Sequence, residues 1–364
     1  MIAAPLVVQA FRQPQRIATF SSAEWELLLR QAMIARLSSA LYYLAEETGV
    51  LDRIPARARD HLEWAHTQGQ RHAQGVRFEL REIRRALAGL DLPLILLKGA
   101  AYAAAKLPPA PGRLFSDIDI MVPKDRLGEV EAALMMHGWA SNDHDEYDQR
   151  YYREWMHELP PMEHVKRQSL IDVHHAILPE TAAARPDPAL LRDAAVPAAG
   201  QEGLRVLAPV DMVLHSAVHL FYDGEFDTGL RDLVDIHRLL QQFGSEPGFW
   251  TCLPARAVEL EIGRPLYYAL RYATALLDSP VPPEVVAALR QSAPNQLLRF
   301  WMDQLFGRAL LPRHASCSDA LTGVATFLLY VRGNWLRMPP LLLARHLFHK
   351  AFISPRDKNA ERAG

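Results

Sequence analysis

Two carboxylates one residue apart, Asp117 and Asp119, open an apolar run that continues through Ile120, Met121 and Val122. Residues two apart on a strand project from the same face. The run therefore sets two negative charges side by side on a sheet surface, where they repel each other and lose hydration. A neutralising cation is the usual reason for such a pair to persist, so a divalent metal is the first expectation. The stretch upstream narrows the fold. An apolar strand over residues 94–97 stops at Lys98-Gly99, a short helix covers 100–106, and the Pro-rich residues 108–112 form a loop before the second strand at 117–122.

Beyond that strand, Asp125 reads as a helix N-cap, with Leu127, Val130, Leu134 and the Met135-Met136 pair as the helix core and Gly138 as its left-handed terminator. The order strand, helix, strand, helix points to a mixed α/β unit. Residues 151–152 and 155–159 read as a further strand ending at Pro160-Pro161. Residues 169–174 alternate in the strand manner, which puts Asp172 and His174 on one face and His175 on the other. A third carboxylate thus arrives on a separate strand.

The flanks read differently. Residues 22–90 give helices: one capped by Ser21 or Ser22, a second through Leu41 and Leu44, and a long charged third with Trp64, Val76, Phe78, Leu80 and Ile83 as its apolar positions. Residues 179–203 read as an irregular connection. Helical patterns then follow at 209–221, 230–243, 253–276, 283–291, 295–306 and 318–330. The expected fold is α+β, divided into an N-terminal helical segment (1–90), an α/β core (91–180) and a C-terminal helical domain (205–355). Residues 341–352 form an amphipathic basic stretch that suits packing against the chain's own helices or, less commonly, a membrane surface. The polar tail 356–364 reads as frayed.

The 364 residues carry 49% hydrophobic and 23% charged side chains, as a soluble globular protein does. A formal net charge of −2 supplies no basic field for a nucleic-acid backbone, so no long nucleic acid is expected as partner. Cys252 and Cys317 form no metal or disulfide pattern and fit a reducing cytoplasm. No basic region precedes the apolar N-terminus, which argues against a signal peptide. No uncharged apolar run approaches the ~18 residues of a spanning helix, so no membrane insertion is expected.

Leu97-Lys98-Gly99-Ala100, Arg113 with Asp117-Ile118-Asp119, Ile171-Asp172-Val173-His174, and His219 followed by Leu230-Arg231 and Asp235 together resemble the uncharacterised nucleotidyltransferase family of the polymerase-beta-like superfamily. The resemblance covers most of residues 90–240. It implies a polymerase-beta-like mixed sheet and a Mg²⁺- or Mn²⁺-dependent transfer of a nucleoside monophosphate from an NTP, such as ATP, to a small-molecule, peptide or protein acceptor. By that resemblance Asp117, Asp119 and Asp172 are metal ligands and catalytic residues, while Lys98, Gly99, Arg113 and Arg231 bind the nucleotide. Lys98-Gly99 stands where the wider superfamily has Gly-Ser, which leaves Lys98 either a point charge for a triphosphate or a group with another task. Arg113 can contact phosphate or pair with a carboxylate, and Arg231 can form a helix salt bridge with Asp235 or reach the cleft. His174, His219 and Asp235 are candidates to line the substrate. A non-catalytic binding module and a γ-phosphate transferase are the competing readings.

Two other constellations carry less. Asp211, His215 and His219 follow one another at helical spacing suited to zinc, but no partner cluster accompanies them. His157, Glu158, Glu163 and His164 gather near the Pro160-Pro161 break, where they line the cleft or face water.

Overall fold

The computed structural model describes residues 4–141 and 155–339. The expectations for residues 142–154 and for 340–364, the amphipathic stretch included, lie outside the described residues. Among the described residues four α-helices precede the first strand: α1 (Leu6–Arg12), α2 (Ser22–Ile34), α3 (Ser38–Glu47) and α4 (Ala56–Leu87). Ser21 starts α2 with a capping box. Its hydroxyl accepts from the Glu24 amide at 3.3 Å, and the Glu24 carboxylate accepts from the Ser21 amide at 2.8 Å. Along α4, Leu62, Val76, Leu80, Ile83 and Leu87 are buried. Trp64 and Phe78, expected on that face, are exposed instead. Each lies two positions past a buried residue, more than half a turn around the helix from it.

The middle of the chain builds β1 (Leu94–Leu96), α5 (Lys98–Ala104), β2 (Asp117–Met121), α6 (Leu127–Met136), β3 (Trp139–Ser141), β4 (Met162–His164), β5 (Leu170–His174), α7 (Pro188–Ala194), β6 (Val196–Pro197) and β7 (Leu204–Val206). The strands join in the order β3-β4-β5-β2-β1-β7-β6. The pairs β2/β5 and β1/β7 run parallel, and β1/β2, β3/β4, β4/β5 and β6/β7 antiparallel. The fold is therefore α+β with a mixed sheet. Its centre, β5-β2-β1, buries Ile95, Leu96, Ile120, Met121, Ile171 and Val173.

Several local expectations are corrected. Asp125 lies inside a 3₁₀ turn, Lys124–Arg126, and Arg126 occupies the N-cap of α6 without a side-chain cap. Met135 and Met136 are exposed at the end of that helix, which buries Val130 and Leu134 only. Gly138 does take a positive φ of 94°. Residues 155–159 form no strand: Glu158 makes one isolated bridge to His174. Pro160 and Pro161 lack the amide hydrogens that would extend a ladder. The 179–203 connection is less irregular than expected, because Asp187 caps α7 by accepting from the Ala189 amide at 2.8 Å.

Among the described residues seven helices follow: α8 (Pro209–Tyr222), α9 (Gly229–Phe243), α10 (Phe249–Glu259), α11 (Gly263–Leu277), α12 (Pro283–Ala288), α13 (Gln296–Ala309) and α14 (Thr322–Arg337). The helix expected over 253–276 is two, α10 and α11. Glu261 turns the chain with φ of 59°, and Pro265, unable to donate to a preceding turn, falls in the first turn of α11. α8 is buried on nearly every side, with α9, α10 and α11 packed around it and α5 against it. The end of α8 and the start of α9 line one cavity with the beginning of β2. Among the described residues no helix is long and apolar enough to cross a membrane.

Candidate active site

The parallel register of β2 and β5 sets Asp119 directly beside Asp172, with Asp117 opposite Leu170 and Met121 opposite His174. Strand alternation puts Asp117, Asp119, Asp172 and His174 on one sheet face. One ligand atom each from Asp119, Asp172 and His174 lies within 4.8 Å of the others. Asp119 is buried, and its Oδ1 accepts from Lys98 Nζ at 3.1 Å and from His174 Nε2 at 3.0 Å. The other ring nitrogen of His174, Nδ1, lies 3.1 Å from Glu158 Oε2. Both ring nitrogens thus face carboxylate oxygens, which favours a doubly protonated ring.

The charges follow from these neighbours. Burial by itself would raise the Asp119 pKa, but Lys98 and His174 hold it well below the usual carboxylate range. Burial opposes a charged His174, yet Glu158 and Asp119 outweigh it and raise the imidazole above its ordinary value. Asp172 is pushed up to about 7 by burial, then by Asp119 and Glu158. Its Oδ1 is buried and has no hydrogen-bond partner. A buried acceptor left in this way costs on the order of 1–3 kcal/mol, so the site is built for something that supplies a partner.

Facing the carboxylates is a cavity of about 310 Å³ whose walls include Lys98, Arg113, Asp117, Asp119, His219 and Arg231. Asp223, Glu225, Asp227 and Asp232 add acidic side chains to its lining. Arg113 Nε donates to Asp235 Oδ2 at 2.6 Å, and its guanidinium lies 5.5 Å from the ring centres of Tyr102 and Phe115. Arg231 donates to Asp232 Oδ1 from Nε at 2.9 Å and Nη2 at 2.7 Å, and from Nη1 to the Leu114 carbonyl at 3.1 Å. The helix pair Arg231–Asp235 therefore does not form: each residue has a partner closer to hand. Asp235 sits beneath the cavity wall as the anchor of Arg113, His174 lies behind Asp119, and His219 lines the cavity with Nε2 3.3 Å from Asp223 Oδ2.

The turn at Lys98-Gly99 does not draw on the positive φ that a glycine permits. The left-handed residue of the turn is Lys98, with φ of 44°. Gly99 serves close approach: a Cβ there would meet the Arg113 guanidinium and stand 2.7 Å from the Phe115 ring. Two arrangements were not legible beforehand. Glu158 was one of four residues near a Pro-Pro break, and only its bridge to His174 brings it into the cluster. Asp232, beside Arg231 in sequence, is the other: it takes the Arg231 guanidinium in place of Asp235.

The helical zinc spacing holds no metal set, because Asp211 is fully buried and takes the Arg256 guanidinium at 2.8 and 3.0 Å. His157 packs against the His174 ring at 5.3 Å between centroids, whereas His164 meets Trp139 edge to face at 4.9 Å.

No curated protein matches the sequence. A family model, described as uncharacterised nucleotidyltransferase, matches residues 21–278. That span is wider than the 90–240 suggested by the motifs, taking in helices from α2 to α11. With well over half of its length matched and a mixed sheet beneath the matched motifs, the chain belongs to the uncharacterised nucleotidyltransferase family.

Proposed function

We propose that the protein moves a nucleoside monophosphate from an NTP to a hydroxyl or similar nucleophile on a small molecule, peptide or protein. The observation that carries this reading is the side-by-side placement of Asp119 and Asp172 on parallel strands, with the Asp172 Oδ1 buried and unpartnered. Carboxylates are the hard-oxygen donors that Mg²⁺ or Mn²⁺ takes, and the orphaned oxygen would gain a partner with such an ion bound. Asp117, Asp119 and Asp172 would hold it, and it would supply neutralisation of phosphate charge.

The chain's own residues do the rest. Lys98, Arg113 and Arg231 present positive charge to the phosphates across the cavity. His174, fixed by Glu158, orients Asp119. The acceptor oxygen bonds to the α-phosphorus, the bond from that phosphorus to the bridging oxygen breaks, and pyrophosphate leaves. The hydroxyl proton passes to Asp172, which lies beside Asp119 on the same sheet face. His219 and the acidic lining adjoin the acceptor, and that lining, with the net charge of −2, disfavours a long nucleic acid.

The test is incubation with each labelled NTP, Mg²⁺ and an acceptor panel, scored by pyrophosphate release and product mass. A nucleotidyl adduct is expected, with no turnover by the Asp117→Asn, Asp119→Asn double variant. Absence of product from every NTP across the panel sinks the proposal, and a product heavier by a single phosphoryl group replaces it with γ-phosphate transfer.

A further inference from the structure

We propose that Lys98 is a resident counter-cation of the carboxylate cluster, and that a divalent cation enters together with a polyphosphate that draws Lys98 away from Asp119. The inference rests on the nucleotidyl-transfer reading and adds to it a condition for metal binding.

Lys98 is the first residue of α5 and takes φ of 44°, a conformation that costs energy for a side chain with a Cβ. Such backbone persists where the surroundings hold it, and what they hold here is the ammonium. Nζ donates to Asp119 Oδ1 at 3.1 Å from a side chain only 18% exposed. Asp117 and Asp223 border the same cavity. The Asp119 oxygen that accepts from Lys98 also accepts from His174 Nε2 at 3.0 Å, so two donors of the chain already serve it.

A divalent ion on Asp119 would share that carboxylate with an ammonium a few ångströms away. Like charges so close in a buried site repel, and the metal on its own is weakened. Relief requires Lys98 to leave. Its long flexible stem allows this, and the adjoining cavity of about 310 Å³ gives it room. Arg113 and Arg231 are anchored on Asp235 and Asp232, carboxylates outside the proposed metal set. Two cations share a proposed metal ligand, Lys98 and His174; His174 is also held from its other ring nitrogen by Glu158 at 3.1 Å, so Lys98 is the one that metal entry frees. A polyphosphate is the acceptor that can receive it, which couples the two ligands.

The test is Mn²⁺ titration of the full chain without nucleotide, followed by electron paramagnetic resonance, for wild type, Lys98→Met and Lys98→Arg, each with and without Asp119→Asn. Lys98→Met is expected to bind Mn²⁺ about tenfold tighter than wild type, while Lys98→Arg stays near wild type. Asp119→Asn should remove the gain. A folded Lys98→Met chain that binds Mn²⁺ no tighter overturns the role of Lys98 and leaves the transfer reading standing. Tightening that survives Asp119→Asn places the metal elsewhere and defeats that reading instead. If circular dichroism shows Lys98→Met unfolded, calorimetry on the wild type decides. Mg²⁺ with tripolyphosphate is expected to bind about tenfold tighter than either alone. Equally tight binding of Mg²⁺ alone overturns the proposal.

Discussion

The Arg113–Asp235 pair fastens the loop before β2 to α9, and its removal should be felt unequally from the two sides. The guanidinium and carboxylate meet at 2.6 Å, each side chain being 7% exposed. Asp235→Leu leaves a guanidinium between Tyr102 and Phe115 with Asp232 Oδ1, 3.6 Å away, as a poor substitute. Stranding a buried charge costs about 3–5 kcal/mol. Arg113→Met strands a carboxylate instead, and a carboxylate can take up a proton where a guanidinium cannot shed one. Its cost should be smaller, on the order of 1–3 kcal/mol. That remnant Asp235 has a folded pKa above its unfolded one, so the variant loses stability as pH rises through the folded value. The double variant holds no stranded charge and should fall short of the sum of the singles by about 2 kcal/mol or more. Urea unfolding followed by tryptophan fluorescence measures all three. Singles that add within about 0.5 kcal/mol, or Arg113→Met proving the more damaging, would refute the reasoning.

Three further outcomes are expected. Gly99→Ala drives a methyl into Arg113 and Phe115 and should cost about 1–3 kcal/mol by thermal melting, an unchanged melting temperature being the contrary result. His237 is held down to about 4 by burial and then by Arg238, with Nδ1 2.7 Å from Ser279 Oγ. Its folded pKa lies below the unfolded value near 6.5, so stability is intact above that pH and falls as pH drops towards about 4; His237→Gln should flatten this acid slope in unfolding measurements. Ser21→Ala deletes the capping box of α2 and should cost roughly 1 kcal/mol in urea unfolding, a change that Ser21→Asp largely avoids.

What the sequence determined by itself is what covalent geometry carries over a few residues. Alternation along a strand put Asp117 with Asp119 and Asp172 with His174 on common faces, and the apolar run ending at Lys98-Gly99 marked the first strand and turn, because a period of two needs no distant partner. The family resemblance then tied these segments together. Tertiary structure alone decided the rest. Only pairing of β2 with β5, more than fifty residues apart, sets Asp119 beside Asp172. Spacing allowed an Arg231–Asp235 pair one turn apart, but Arg113 arrives from the β2 loop and takes Asp235, while Arg231 turns to Asp232 and the Leu114 carbonyl. Lys98 could be read from its neighbours only as a cation near a turn. Its hold on Asp119 depends on where β2 lies against β1, and which charges share a buried space is fixed by packing between elements rather than by order along the chain.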